Sequence, residues 1–130
     1  MATLFSKIIA GEIPSFKIYE DEYVYAFLDI FPQRLWHTLI VPKIEIDHFA
    51  DVPEPYYSAI FQAAKKIAPA IKQATNCNRV CAMLIWYEVP HCHYHLIPTS
   101  DLGDAIFSQK PQADMNELKI IQDKILENLI

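Results

Sequence analysis

The spacing of apolar residues changes period several times along the chain, and each change predicts an element. Residues 3–10, TLFSKIIA, read as a short helix, with Gly11 as its stop and Pro14 beyond. FKIYE and YVYAFLD are rich in aromatic and β-branched residues and are parted by Asp21-Glu22, the pattern of a hairpin. HTLIVP, from His37 to Pro42, predicts a third strand closed by its proline. In residues 53–74, Tyr57, Ile60, Phe61, Ala64, Ile67, Ala68 and Ile71 recur at three- and four-residue steps, one stripe of an amphipathic helix. Pro69 falls inside it and is expected to kink or shorten it. RVCAMLI, residues 79–85, is apolar at even and odd positions alike and is expected to be a central fourth strand. A fifth follows through VPHCHYHLIP and ends at Pro98. DMNELKIIQDKILENLI then places Leu118, Ile121, Ile125 and Leu129 on one helical face, with Asp114 and Glu117 spaced as a capping pair. Strands outnumbering helices in this order predict an α+β domain, spanning 1–130, with a mostly antiparallel sheet.

Composition narrows the class. At 130 residues, 52% hydrophobic and 21% charged, the chain is long enough for one buried core and too apolar to be disordered. No run approaches the ~20 apolar residues of a membrane span, and the first residues lack a signal-peptide core, so a cytoplasmic location and no membrane partner are expected. A net charge of −5 argues against a nucleic-acid partner, which needs a basic face. Cys77, Cys81 and Cys92 form no C-x-x-C pair and read as reduced thiols. With two glycines, Gly11 and Gly103, the chain has no glycine-rich phosphate loop.

What changes the picture is histidine. The chain has five, and His91, His93 and His95 alternate within five residues. In an extended strand they would share one face, ~7 Å apart, while Cys92, Tyr94 and Leu96 took the other. Three readings compete: a solvated face with no role, a three-imidazole metal site with an open position, and nucleophilic catalysis in which one imidazole attacks phosphorus while its neighbours orient and polarise it.

His91-Cys92-His93-Tyr94-His95-Leu96-Ile97 resembles the H-x-H-x-H signature of the histidine triad (HIT) family, followed as there by two apolar residues. FSKIIAGEIPSFKIYEDEYVYAFLDIFPQ is similar to that family's N-terminal helix and hairpin, and HTLIVPK to its third strand. The resemblance implies an antiparallel sheet of about five strands with one long helix and a C-terminal helix. It also implies a homodimer that needs no cofactor and acts at the α-phosphate of a purine nucleotide: a nucleoside phosphoramidate, an adenylated amine or a dinucleoside polyphosphate. By the same resemblance His93 is the nucleophile and His91 orients it. His95 and His37 contact the phosphate, Asp29 accepts the ribose hydroxyls, and Ile30 and Phe27 flank the nucleoside. From the residues alone, Asp29 reads as a strand-terminating surface carboxylate.

Departures from the family pattern are concentrated. Members that carry zinc have a C-x-x-C completed by two histidines; here the matching stretch is TLFS, and Glu45 stands at one histidine position, which predicts no structural metal. Before the triad the usual glycines, Asn and Ser/Thr give way to AMLIWYEVPH, which resembles a shorter-loop branch reading EVPHxHxHLIP. Trp86 and Trp36 both stand where glycine is usual. They are expected to narrow the leaving-group side of the pocket, packing on each other, against the alternative of aromatics without a binding role. Glu88 is either a proton donor to the leaving group or a strand residue paired with Arg79 or Lys43. The sequence therefore favours a nucleotide hydrolase. A nucleotide-binding module with little or no turnover comes second and a metal-dependent hydrolase third.

Overall fold

The computed structural model describes residues 2–129. Helix α1 (Leu4–Ile9) is followed by strands β1 (Lys17–Glu20), β2 (Val24–Leu28) and β3 (Thr38–Pro42). The long helix α2 (Tyr56–Thr75), strands β4 (Arg79–Met83) and β5 (Tyr94–Thr99), and helix α3 (Met115–Asn128) complete the chain, with 3-10 turns at Phe49–Asp51 and Leu102–Ala105. The strands form one sheet in the order β1-β2-β3-β5-β4, every neighbouring pair antiparallel.

Local chemistry places the ends. Thr3 caps α1 by accepting the N–H of Ser6, and Gly11, at φ 82°, lets the chain turn away in the left-handed region. The Asp21 carboxylate accepts the N–H groups of Tyr23 and Val24, which closes the β1–β2 hairpin. Asp114 caps α3 through the N–H groups of Asn116 and Glu117, the Asp half of the expected capping pair.

Side-chain alternation then sorts the sheet into two unlike faces. On one, Ile18, Val24, Ala26, Leu28, Ile40 and Leu96 join Ile60, Ile67 and Ile71 of α2 and Leu118, Ile121 and Ile125 of α3 in one cluster. Each such fully buried Val, Leu or Ile contributes about 1.5–3 kcal/mol. On the other face, Tyr25, Phe27, Leu39 and Val41 are covered by Phe5 and Ile8 of the short α1, with Ile9, Ile13 and Val89 at the margin. His95 pairs with Leu39 in register and so belongs to this second, thinner face.

Four expectations are corrected. RVCAM is an edge strand, not a central one: β4 pairs only with β5 and is half exposed. β5, buried along nearly its whole length, takes the inner position instead. Pro98 does not end β5. The pairing with β3 stops at Leu96, so the proline's missing N–H costs no ladder bond there. Pro69 does not end α2, because it lies on the solvent face, where the carbonyl it leaves free is open to water. Finally, Phe61 is not in the buried stripe of α2. Ala59, Ala63 and Ala70 fill it, and Phe61 sits on its flank against Tyr57 and Tyr94.

Candidate active site

The triad lies where the chain enters β5. Only His95 is within the strand; residues 91–93 bend before it. Alternation survives, since Cys92, Tyr94 and Leu96 all pack into the helix-covered cluster. The extended spacing does not. The rings of His93 and His95 approach to 4.9 Å between centroids, edge to face. His37 immediately precedes β3, the neighbour of β5, and its ring stands 5.1 Å from that of His95.

Hydrogen bonds fix the tautomers. The backbone N–H of Gln33 donates to His37 Nδ1 at 3.0 Å, so the proton of a neutral His37 is on Nε2, which meets His95 Nδ1 at 2.9 Å. His95 then carries its own proton on Nε2 and donates it to the Ile85 carbonyl at 2.7 Å. His93 donates from Nδ1 to the carbonyl of His91 at 2.7 Å, which leaves its Nε2 bare. The orienting group is thus the backbone of His91, not its ring. That ring turns the other way, to Thr3 and to the Pro42 carbonyl. Among the described residues no buried side-chain nitrogen or oxygen lacks a partner. His93 Nε2, which takes no hydrogen bond, therefore keeps a path to solvent although the residue is only 6% exposed.

Electrostatics agree with neutral rings. Burial, with His95 and His93 nearby, pushes His37 down to about 3, and burial pushes His93 and His95 down to about 4. At neutral pH the lone pair on His93 needs no general base to free it. Asp29 Oδ2 lies 3.8 Å from His37 Nδ1. Because that nitrogen already accepts a backbone proton, the approach is not an ion pair. The carboxyl of Asp29, raised by burial, accepts the Phe31 N–H and ends β2 in a tight turn.

The other expected residues fall at different distances from this centre. Ile30 is half-buried beside Asp29 and packs on the main core. Phe27 is buried in the thin face, edge-on to Phe5 at 5.5 Å. Glu88 is exposed and forms no ion pair among the described residues; Lys43 pairs with Glu20 at 2.7 Å instead. Its charge is near enough to raise both Asp29 and His93. Trp86 does not pack on Trp36. Its indole lies over His93, with centroids 4.7 Å apart and planes inclined by 34°, while Nε1 donates to Asp47 at 2.9 Å. A cavity of about 380 Å³ adjoins it, lined by Asp47, His48, Phe49 and Leu84 to Tyr87. Trp36 is instead the third residue of a turn closed by His37 N–H on the Arg34 carbonyl, at φ 80°. That conformation explains the family's glycine at this place.

Sequence reasoning missed several neighbours. Phe5 stands edge-on to His93 at 4.9 Å and Phe107 edge-on to His95 at 4.8 Å. Phe5 was legible only as a helix residue, and Phe107 lies in a stretch without periodicity. The carbonyls of Ile85 and His91, being backbone, leave no trace in the sequence. Among the described residues no group of three or more His, Cys, Asp or Glu is placed to hold a metal ion.

A thin-faced five-stranded sheet with a histidine relay at the mouth of its inner strands defines the class. Residues 10–102 match the HIT domain family model, and the chain belongs to that family. It is 37% identical to the adenosine 5'-monophosphoramidase HNT1 of Saccharomyces cerevisiae over 131 residues, covering 98% of this chain and 83% of that protein. It is 33% identical to the Candida albicans adenosine 5'-monophosphoramidase HNT1 over 137 residues, covering 97% and 90%. Among solved structures it is similar to a Hit-like protein of Bartonella henselae, with TM-score 0.87 and 31% identity over 98% of this chain and 96% of that one.

Proposed function

We propose that this protein hydrolyses purine nucleoside phosphoramidates, or closely related nucleotides, at the α-phosphorus through a nucleotidyl intermediate on His93. The observation that carries the reading is the state of that ring. Nδ1–H is held by the His91 carbonyl and Nε2 is unprotonated and unpaired. Nε2 attacks phosphorus, the N–P bond to the imidazole forms, the bond to the leaving amine breaks, and the amine departs with a proton taken from solvent water. Positive charge that develops on the ring is stabilised by the His91 carbonyl. Water then cleaves the phosphorus–imidazole bond and releases the nucleoside monophosphate. His95 Nε2–H exchanges the Ile85 carbonyl for a phosphate oxygen, and His37 holds His95 in the donating tautomer. Asp29, beside Ile30 at the end of β2, takes the ribose. Similarity to the two HNT1 phosphoramidases supports the substrate class. Glu88, exposed beside the site, is assigned no step.

The test is to mix the protein with adenosine 5'-phosphoramidate, quench early, and locate the adduct by mass spectrometry. AMP on His93 supports the reading. Turnover without any histidine adduct, or an adduct elsewhere, overturns it. A second reading, binding with little turnover, is favoured by the cover of Trp86 over His93. AMP binding by calorimetry together with no phosphoramidate turnover would establish it.

We further propose a cytoplasmic homodimer. The open edge of β4, and the exposed Phe61 that packs on Tyr94 of the adjoining β5, are suited to a second copy. Among the described residues no helix is long and apolar enough to cross a membrane. A sedimentation mass equal to one chain would remove the dimer.

A further inference from the structure

A second polar cluster ties α1 to the loop after β3 and reaches His91. One oxygen of Glu45, Oε1, accepts the backbone N–H of Thr3 at 2.7 Å and the hydroxyl of Ser6 at 2.7 Å. Thr3 Oγ1 accepts the N–H of Ser6 at 3.1 Å and lies 2.8 Å from His91 Nδ1. The direction of that last bond follows from proton counting. His91 Nε2 faces the Pro42 carbonyl at 2.9 Å, and a carbonyl can only accept, so Nε2 holds the proton. Burial lowers the His91 pKa, the ring is neutral, and Nδ1 is an acceptor. Ser6 Oγ, 3.2 Å away, is the other acceptor for the single Thr3 hydroxyl proton, but the shorter 2.8 Å contact to an acceptor Nδ1 requires that the Thr3 hydroxyl donate to His91.

We propose that Thr3, Ser6 and Glu45 form a clamp that positions His93, acting through His91; the inference rests on the reading of His93 as nucleophile. With bonds at both ring nitrogens and only 1% exposure, His91 has no freedom to turn. Its backbone is pinned as well, because the N–H of Cys92 donates to the Ile46 carbonyl at 2.7 Å. The fixed His91 carbonyl is what keeps the His93 proton on Nδ1 and the lone pair on Nε2. Phe5, on the same short helix, presses edge-on against both rings, at 5.8 Å from His91 and 4.9 Å from His93. A helix of six residues is too short to be stable alone. Glu45 holds its first turn in place from outside, and through Thr3 that anchoring reaches the reacting nitrogen. Thr3, Ser6 and Glu45 are positioning residues: none touches substrate.

Thr3→Val keeps the shape and removes the donor. The readouts are the ¹⁵N imidazole spectrum of His93 and the separate kcat and KM for adenosine 5'-phosphoramidate. The parent chain is expected to show one His93 tautomer, Nδ1–H. Thr3→Val is expected to show a mixture, with kcat down about tenfold and KM unchanged, as a small misplacement of a reacting group does. Thr3→Ser should restore both, and Glu45→Gln should fall between. A Thr3→Val variant that melts earlier but keeps the single tautomer and full kcat overturns the clamp, as does failure of Thr3→Ser to rescue. If Thr3→Val does not fold, an unchanged spectrum in Glu45→Gln overturns it. If the parent chain shows no turnover, the catalytic reading fails, while the tautomer still decides whether the clamp exists.

Discussion

The two sides of His93 are built on opposite principles. The rear is formed by buried His91, half-buried Thr3 and the buried Phe5 of α1, and the histidine nitrogens there are held by short bonds to a hydroxyl or a carbonyl. The front, residues 84–88, is an irregular segment whose side chains are partly or largely in water, with Tyr87 97% exposed. It meets the histidines through one indole and one backbone carbonyl. Rigidity is therefore spent on the side that sets the proton. The side a phosphate must enter is closed by groups that can be exchanged for it. A hydrogen bond to the Ile85 carbonyl can be replaced by one to a phosphate oxygen at little net cost, since the donor remains satisfied.

The largest effect expected is at the point where the sides meet. His93→Ala should lower turnover by at least about 10³-fold, as removal of a covalent nucleophile does, while AMP binding measured by calorimetry persists. Opening the front comes next. Trp86→Gly uncovers His93 and should raise kcat/KM for adenosine 5'-phosphoramidate by about tenfold, roughly 1.4 kcal/mol of barrier. An unchanged or lower value would mean that the indole contributes to binding instead of obstructing it.

Acid sharpens the contrast through stability. His37, His93 and His95 have folded pKa values near 3 to 4, below the ordinary 6.5, so the unfolded chain binds more protons between those limits. Their contribution is complete above about pH 6.5 and is lost as pH falls toward 4. The melting temperature should hold from pH 8 to 7 and then decline steadily. The smallest effect lies at Trp36. With φ at 80°, the turn penalises any Cβ, so Trp36→Gly should be more stable than Trp36→Ala by about 1 kcal/mol in urea unfolding, the reverse of the order in a helix.

Period and turn chemistry made the elements legible. The Asp21 turn, the Asp114 cap and the stop at Gly11 all stand where local hydrogen bonding and glycine's freedom required them. Strand order was less so, because apolar residues on both faces of RVCAM occur on this half-exposed edge strand as well as they would in a central one. Within the site, the residue types announced themselves and the geometry did not. Alternation correctly separated His93 and His95 from Cys92 and Leu96. Yet the bend before β5, the carbonyls that fix each tautomer, and the indole lying over His93 arise from how distant segments meet. Thr3 was read as a helix residue and Glu45 as standing at a zinc-binding histidine's position, and neither reading pointed to the hydrogen bonds that join Glu45 to Thr3 and Thr3 to His91.

Alongside the Arg34–Asp104 ion pair and the bond from Ala113 N–H to the Ile30 carbonyl, Gln33 is one of several links between the loop before β3 and the segment before α3. Its backbone N–H holds Nδ1 of His37, and its side-chain amide exchanges two hydrogen bonds with the main chain of Ser108, at 2.8 and 2.9 Å. Ser108 follows Phe107, whose ring shields both His37 and His95. Peeling that aromatic strap away strains the same short loop that dictates which imidazole nitrogen is bare, so access from this flank and the polarity of the relay are mechanically linked.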